Sequence, residues 1–492
     1  MLLTTPTLAL AQTWRLGADV RVRETFTDNV RLSSTNRESD WVTELSPGVS
    51  LTGRSARARG SLNARLNSYY HTTDSNSNDT NLELFGGGTF EAVEDTLFID
   101  ADARASREVL SSFGASSPDG INTNENSAQY YGMSVTPRGY WRLGTSGTVE
   151  ARYRLGYTGA DVSSYDSQIT HDWTLALRNG AAWGRAGWEL IGLGSANEYD
   201  RGRDRSMARL RAAFVYTASA SVKLRLFGGQ ERNNFSSQEQ KTYTNWGGGV
   251  EWRPSVRTLL SAEAEDRFFG TGYNVRFSHR RARTSMDMQF SRDVSSNAET
   301  FNGGSSYFLL LEQEERLLES QVPDASLRRQ IAILRLALQG ITPQNAAQLG
   351  GLSSTRTINQ VGRITLVANG VRNSVSLTLS RLQRDTFLNQ ALTNVNDDFS
   401  RYGRVIDYVT FVGWSNRLTP FTSVNAGLSY TDSEGSNSGA PDTSRQQKDV
   451  TLGLNTQLGA RSNGGLTFRR SNSRGSATYT ENAVSAFLAY RF

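Results

Sequence analysis

Glu263 and Glu265 are paired carboxylates of the kind that can do acid–base work on a glycosidic bond. Their spacing of two puts them on one face of an extended strand, where successive charges ordinarily belong to a wall. His71, His171 and His279 are scattered and show no metal-ligand spacing. The run Asp74-Ser75-Asn76-Ser77-Asn78-Asp79 offers oxygens at alternating positions, as calcium loops do, but lacks the Gly and the following Glu of an EF-hand. No phosphate-cradling glycine loop, nucleophile elbow or H-E-x-x-H helix occurs. The chain has no cysteine, which removes disulfides, thiolate metal sites and cysteine catalysis. We expect no enzyme, no catalytic residue, no cofactor and no metal.

A second set of charges carries more information. Arg21, Arg23, Asp100, Asp102, Arg104, Glu150, Arg152, Arg154, Lys223, Arg225, Glu263, Glu265, Arg267 and Arg276 all alternate with apolar neighbours. A charge turned toward the middle of a bilayer would cost ~2–4 kcal/mol. These groups must therefore face a hydrated interior or one another. Two readings stand side by side: a neighbour-paired ladder that stiffens a wall, or a mixed-charge conduit for a hydrophilic solute. Both signs are present, which argues against strong ion selectivity. Phe98, Phe227 and Phe269 share the charged face and would offer flat surfaces to sugars.

The elements that position these residues are strands. Trp14, Leu16, Ala18, Val20 and Val22 alternate with Arg15, Gly17, Asp19, Arg21 and Arg23; Val149 to Tyr157 and Val450 to Leu454 behave alike. Such persistent period-two patterning argues against helices. Short connections rich in Gly, Pro and Asn, such as Gly144-Thr145-Ser146-Gly147 and Asn369-Gly370, alternate with longer polar ones. The longer set includes the stretches from Thr72, from Ser111 and from Ser433. Tight turns on one rim and long loops on the other are the wiring of a transmembrane barrel. The expected fold is all-β: one antiparallel up-and-down barrel over 12–492, with about 22 strands (roughly 18 to 24). Gly86-Gly87-Gly88 and Gly247-Gly248-Gly249 lie inside strand patterns and mark bends or close backbone approach. Aromatics near strand ends (Trp14, Trp41, Tyr140, Trp141, Trp173, Trp183, Trp188, Trp246, Trp252 and Trp414) read as interfacial girdles.

The period changes within 301–351. Leu327, Ile331, Leu334, Leu338 and Ile341 form an apolar stripe at helical spacing. A small helical insert is expected there, on the long-loop side or folded from it into the lumen, where it would gate or partly fill the bore. At the start, Ala9-Leu10-Ala11 resembles a signal cleavage site behind a short apolar stretch, so 1–11 reads as a signal-peptide remnant. At the end, Val484, Ala486, Leu488, Tyr490 and Phe492 share one face. Leu488, Tyr490 and Phe492 resemble the C-terminal recognition strand of outer-membrane barrels, a resemblance that implies the barrel-assembly machinery as a partner.

Composition agrees with this reading. Hydrophobic residues make up 37% and aromatics 10%, with 45 glycines. Mean hydropathy is -0.49, and no run approaches the ~20 apolar residues of a transmembrane helix. The net charge of +5 is spread among interleaved acids and bases, so no nucleic-acid partner is expected.

Several segments together carry a family resemblance. They are ETFTDNVRLSS at Glu24 to Ser34, ESDWVTELSPGVSL at Glu38 to Leu51, VPDASLRRQIAILRLALQG at Val322 to Gly340, and the closing AYRF. The chain resembles the PEP-CTERM system-associated outer-membrane proteins, a group of β-barrel porins, along essentially its whole length. That resemblance implies a bacterial outer-membrane location and a conduit associated with exopolysaccharide export beside an exosortase-type sorting system. Outer-membrane lipid, the polysaccharide and periplasmic export components would be its partners. It supplies no catalytic residues. The alternatives are a general diffusion porin for small hydrophilic solutes and a structural or adhesive barrel that binds partners through its long loops.

Overall fold

Alternation decides which side chains face outward, and the register between neighbouring strands carries that choice around a closed wall. The computed structural model describes residues 13–118, 120–122, 124–180, 183–295, 351–387, 397–437 and 440–492. Its first strands are β1 (Thr13–Thr27), β2 (Asp40–Arg54), β3 (Ala58–His71), β4 (Asp79–Val93), β5 (Leu97–Val109), β6 (Ser127–Arg142), β7 (Gly147–Ala160) and β8 (Gln168–Asn179). Then come β9 (Ala186–Tyr199), β10 (Arg205–Ser219), β11 (Val222–Asn233), β12 (Lys241–Ser255), β13 (Thr258–Arg267), β14 (Gly270–Arg280) and β15 (Thr284–Ser295). The last are β16 (Thr357–Asn369), β17 (Asn373–Thr386), β18 (Arg404–Arg417), β19 (Thr422–Asn437), β20 (Ala440–Gln457), β21 (Ser462–Gly475) and β22 (Tyr479–Arg491). A single helical turn, α1 (Asp398–Arg401), precedes β18.

Among the described residues these form one 22-stranded antiparallel sheet in which each strand pairs with the next. β1 closes the ring on β22, from Asp19 opposite Arg491 to Thr27 opposite Ala483. Closure leaves no unpaired sheet edge, as a hydrocarbon solvent requires. The even strand number puts the start of β1 and the end of β22 on one rim, together with the tight turns. Gly144 and Gly184 sit in those turns at φ +59° and +63°, a conformation that favours glycine.

The outer face is apolar and exposed. Leu16, Val49, Met133, Leu155, Leu210, Leu226, Leu428 and Leu488 all stand free of protein cover. In water such a surface would aggregate; around a closed sheet it is a lipid-facing band. This polypeptide is a bacterial outer-membrane β-barrel. Leu488, Tyr490 and Phe492 lie exposed on that face, and the Phe492 N–H donates to Ala18 O at 2.9 Å across the closing seam.

Three details differ from the sequence reading. The Ser433 stretch is no loop: β19 and β20 continue through it as a hairpin, pairing as far as Asn437 opposite Ala440. Tyr140 faces Glu150 on the inner wall and is no girdle residue, because Trp141 beside it takes the outer face. Trp173 sits at mid-strand, lying over Gly194, where a Cβ would meet its Nε1 at 2.4 Å. Residues 1–11 and the stripe Leu327, Ile331, Leu334, Leu338 and Ile341 lie outside the described residues. β15 ends and β16 begins on the long-loop rim, so the chain between them leaves and returns there.

Candidate functional site

Register brings the predicted inner charges to one surface, and most of them are paired. Arg21 and Arg23 both reach Glu44, at 2.7 and 3.3 Å. Asp100 holds Arg138 at 2.7 Å, Arg154 approaches Asp172 at 3.6 Å, and Glu150 holds Arg178 at 3.1 Å. Arg225 bridges Glu189 (3.2 Å) and Glu263 (3.3 Å), and Arg211 holds Glu263 at 2.5 Å. Arg209 pairs with Glu265, Arg104 with Glu108, and Arg267 with both Glu231 and Asp293. Asp102 lies two residues from Asp100 on the same face, opposite Ser134. Arg152, Lys223 and Arg276 face the lumen with no carboxylate partner among the described residues.

Most of these charges are paired with neighbours, on β1–β2 through Glu44 and along β5–β15 as a ladder. Glu263 and Glu265, the paired carboxylates of the sequence reading, are both held by neighbours. Two guanidiniums hold the first; Arg209 and the Asn245 amide (2.6 Å) hold the second. The inner aromatics are covered too. Arg138 lies 4.6 Å from the Phe98 ring centre and Arg211 4.4 Å from that of Phe227; Arg267 and Arg292 lie at 5.0 and 5.2 Å over Phe269. These three rings are stacked under cations, so they are not the open sugar platforms expected of them. Gly247 does mark close approach: a Cβ there would sit 2.7 Å from the Phe227 ring. Asp74 caps a short helical turn and accepts from Ser77 Oγ at 3.1 Å.

One feature among the described residues was not read from the sequence. The described residues of the loop 110–126, between β5 and β6, fold inward and cross the long-loop mouth to the far wall. Tyr479 donates to Ser116 O at 2.5 Å, Arg445 to Ser116 Oγ at 3.0 Å, and Ser476 to Phe113 O at 2.8 Å. Asn122 donates to Glu481 at 2.9 Å and to Val30 O at 3.2 Å. Ser111 Oγ and Ser112 N donate to Asp398, at 2.6 and 3.0 Å. Arg384, fully buried, reaches Asp407, Ser112 Oγ and Gly351 O.

The segment 351–356 bridges in the other direction. Leu352 N donates to Val109 O at 2.7 Å, Asp166 N to Ser354 Oγ at 3.3 Å, and Thr355 Oγ1 to Asp397 at 3.1 Å. Small apolar cores back these contacts. Val30, Val42, Tyr69 and Ile121 make one; Tyr130, Tyr165 and Leu352 another; Phe113, Phe399 and Val405 a third. Each joins loop residues to the wall. The available signal was faint: single large apolar residues (Phe113, Ile121, Leu352, Phe399) set in otherwise polar connections, which a solvated loop would not need.

Outside the membrane-spanning strands, burial pushes the Asp397 and Asp398 carboxyls up, against the hydrogen bonds that they accept from Ser353, Thr355, Ser111 and Ser112. No cluster of side chains that could hold a metal ion occurs among the described residues.

No protein-family model and no curated protein matches this chain. Solved structures share its shape. The FrpB iron transporter from Neisseria meningitidis, in its apoprotein form, is 9% identical over 97% of this chain and 81% of its own, with a TM-score of 0.53. The siderophore receptor PirA from Acinetobacter baumannii is 8% identical over 97% and 80%, with a TM-score of 0.50. At such identity the likeness is one of fold.

Proposed function

We propose that this barrel is a conduit for a hydrophilic polymer across the outer membrane, with an exopolysaccharide as its cargo and the 110–126 loop as the bar across its outer mouth. One observation carries the conduit: the loop is latched to walls on both sides by polar contacts with Tyr479, Arg445, Glu481 and Asp398, over a lumen whose β5–β15 wall carries a ladder of paired charges. Hydrogen bonds of this kind each contribute about 1 kcal/mol net, because water can replace them. A strap held by them can be released without unfolding the wall. The resemblance in the opening and insert segments supplies the cargo, and the transporter and receptor names of the fold neighbours are compatible with passage of material through such a barrel.

The chain has no native cysteine, so the latch can be locked cleanly. In a strain lacking the gene, complementation with Ser111→Cys/Asp398→Cys should restore polysaccharide secretion only under reducing conditions. Wild type and each single variant should secrete regardless of redox state. Normal secretion by the oxidised double variant would rule out the strap as the bar. Normal secretion without the gene, coupled to lost uptake of small solutes, would replace the export reading with a diffusion porin.

A further inference from the structure

The charged inner wall is interrupted on β17–β19, where a panel below the Arg384–Asp407 pair and beside Asp449 of β20 carries no inward charge of its own. On β17 the inward residues between 374 and 382 are Ser374, Ser376, Thr378, Ser380 and Leu382, since Val375 and Leu379 take the exposed outer face. The inward residues of β18 between 409 and 415, and of β19 between 423 and 431, are likewise uncharged. Arg363 touches the edge of the panel, donating to Ser380 Oγ at 3.3 Å.

At its centre lies Phe411. A Cβ on Gly413 would sit 3.0 Å from Phe411 Cε1, and one on Gly427 would sit 3.6 Å from Cε2. The ring therefore lies along the wall over two glycines and is half-buried. Unlike Phe98, Phe227 and Phe269, it has no guanidinium over it among the described residues. Around it, Ser376 Oγ, Thr378 Oγ1 and both polar atoms of Asn425 are buried without a hydrogen-bond partner. Buried polar atoms left unpaired cost about 1–3 kcal/mol each.

We propose that this panel is a binding site for an uncharged saccharide segment, with Phe411 as the stacking platform and Ser376, Thr378 and Asn425 as the hydroxyl-recognising groups. A pyranose presents an apolar C–H face to a ring and hydroxyls at its edge, which is the complement of one flat aromatic among neutral donors and acceptors. Beside Phe411 the panel offers an ionic ligand no counter-charge; the nearest charges are Arg363 at Ser380 and Asp449 opposite Ser429. The site rests on the conduit reading and sharpens it: the cargo is neutral where it touches this wall.

The test is calorimetric titration of the full chain, in detergent micelles, with neutral hexasaccharides (maltohexaose, cellohexaose and mannohexaose) and with an oligoglucuronate. At least one neutral probe should bind more tightly than the oligoglucuronate. Phe411→Ala should weaken it roughly tenfold and Ser376→Ala/Asn425→Ala several-fold, while Phe411→Tyr should retain it. Heat-modified gel mobility would confirm that each variant is folded. Three outcomes overturn the site: no neutral probe binds, binding is indifferent to Phe411→Ala, or the charged probe binds equally well. Binding needs no flux. A barrel that binds sugar and never conducts would keep the site and sink the conduit; one that conducts ions and binds no sugar would do the reverse.

Discussion

Arg267 shows what a single residue does here. Its guanidinium and the Glu231 carboxylate are both almost wholly buried, and the pair is joined at 2.9 Å. Arg267→Leu would leave Glu231 with the Asn233 amide at 3.2 Å as its donor among the described residues, in a site closed to water. We expect a loss of about 3 kcal/mol in urea unfolding from micelles. Arg178→Leu, at the half-exposed pair with Glu150, should cost under about 1 kcal/mol. Asp398 gives the pH dependence. Its carboxyl is pushed up by burial when the 110–126 loop is latched and returns to the ordinary range when the loop is released. The latched form therefore binds protons more readily. The latch strengthens as pH falls toward the ordinary carboxylate range and weakens as pH rises through the elevated value. Open probability recorded between about pH 4 and 8 should fall on acidification, and Asp398→Asn should flatten that slope; a rise in acid would contradict the assignment. Inner charges were legible in the sequence because alternation alone sets their face. Their partners were not, because Arg211 on β10 meets Glu263 on β13 across Phe227 and the glycines of β12, a juxtaposition that depends on register through three strand pairs.

At the scale of the strand, inside and outside are opposite solvents one residue apart. Leu226 on β11 is 67% exposed on the outer face, while its neighbours Arg225 and Phe227 turn inward. Leu226→Arg should destabilise the barrel by ~2–4 kcal/mol in unfolding from lipid vesicles, and Leu226→Val far less. Equal effects would mean that this face does not meet hydrocarbon. Strands within the bilayer were readable for this reason, since hydrocarbon enforces the pattern. Beyond the headgroups nothing enforces it, so the small polar residues from Ser433 to Ser444 passed for a loop while pairing as the tip of β19 and β20. That extension has a use: it carries Arg445 up to the level of Ser116, where it grips the strap.

For the whole molecule, closure is the organising fact. A 22-stranded ring encloses a bore wide enough to need filling or barring, and the described loops reach across it from opposite walls at Ser116 and at Leu352. The number of strands and both rims could be read from turn chemistry and parity. The inward fold of 110–126 could not, because it depends on contacts with residues more than three hundred positions away, such as Tyr479. Single-channel conductance in planar bilayers reads whether that strap bars a hydrated lumen. Replacing residues 111–125 with a short Gly-Ser linker should convert a mostly closed barrel into one with large, long-lived open steps. Conductance that is unchanged by the replacement, or absent from both proteins while each remains folded, would contradict it.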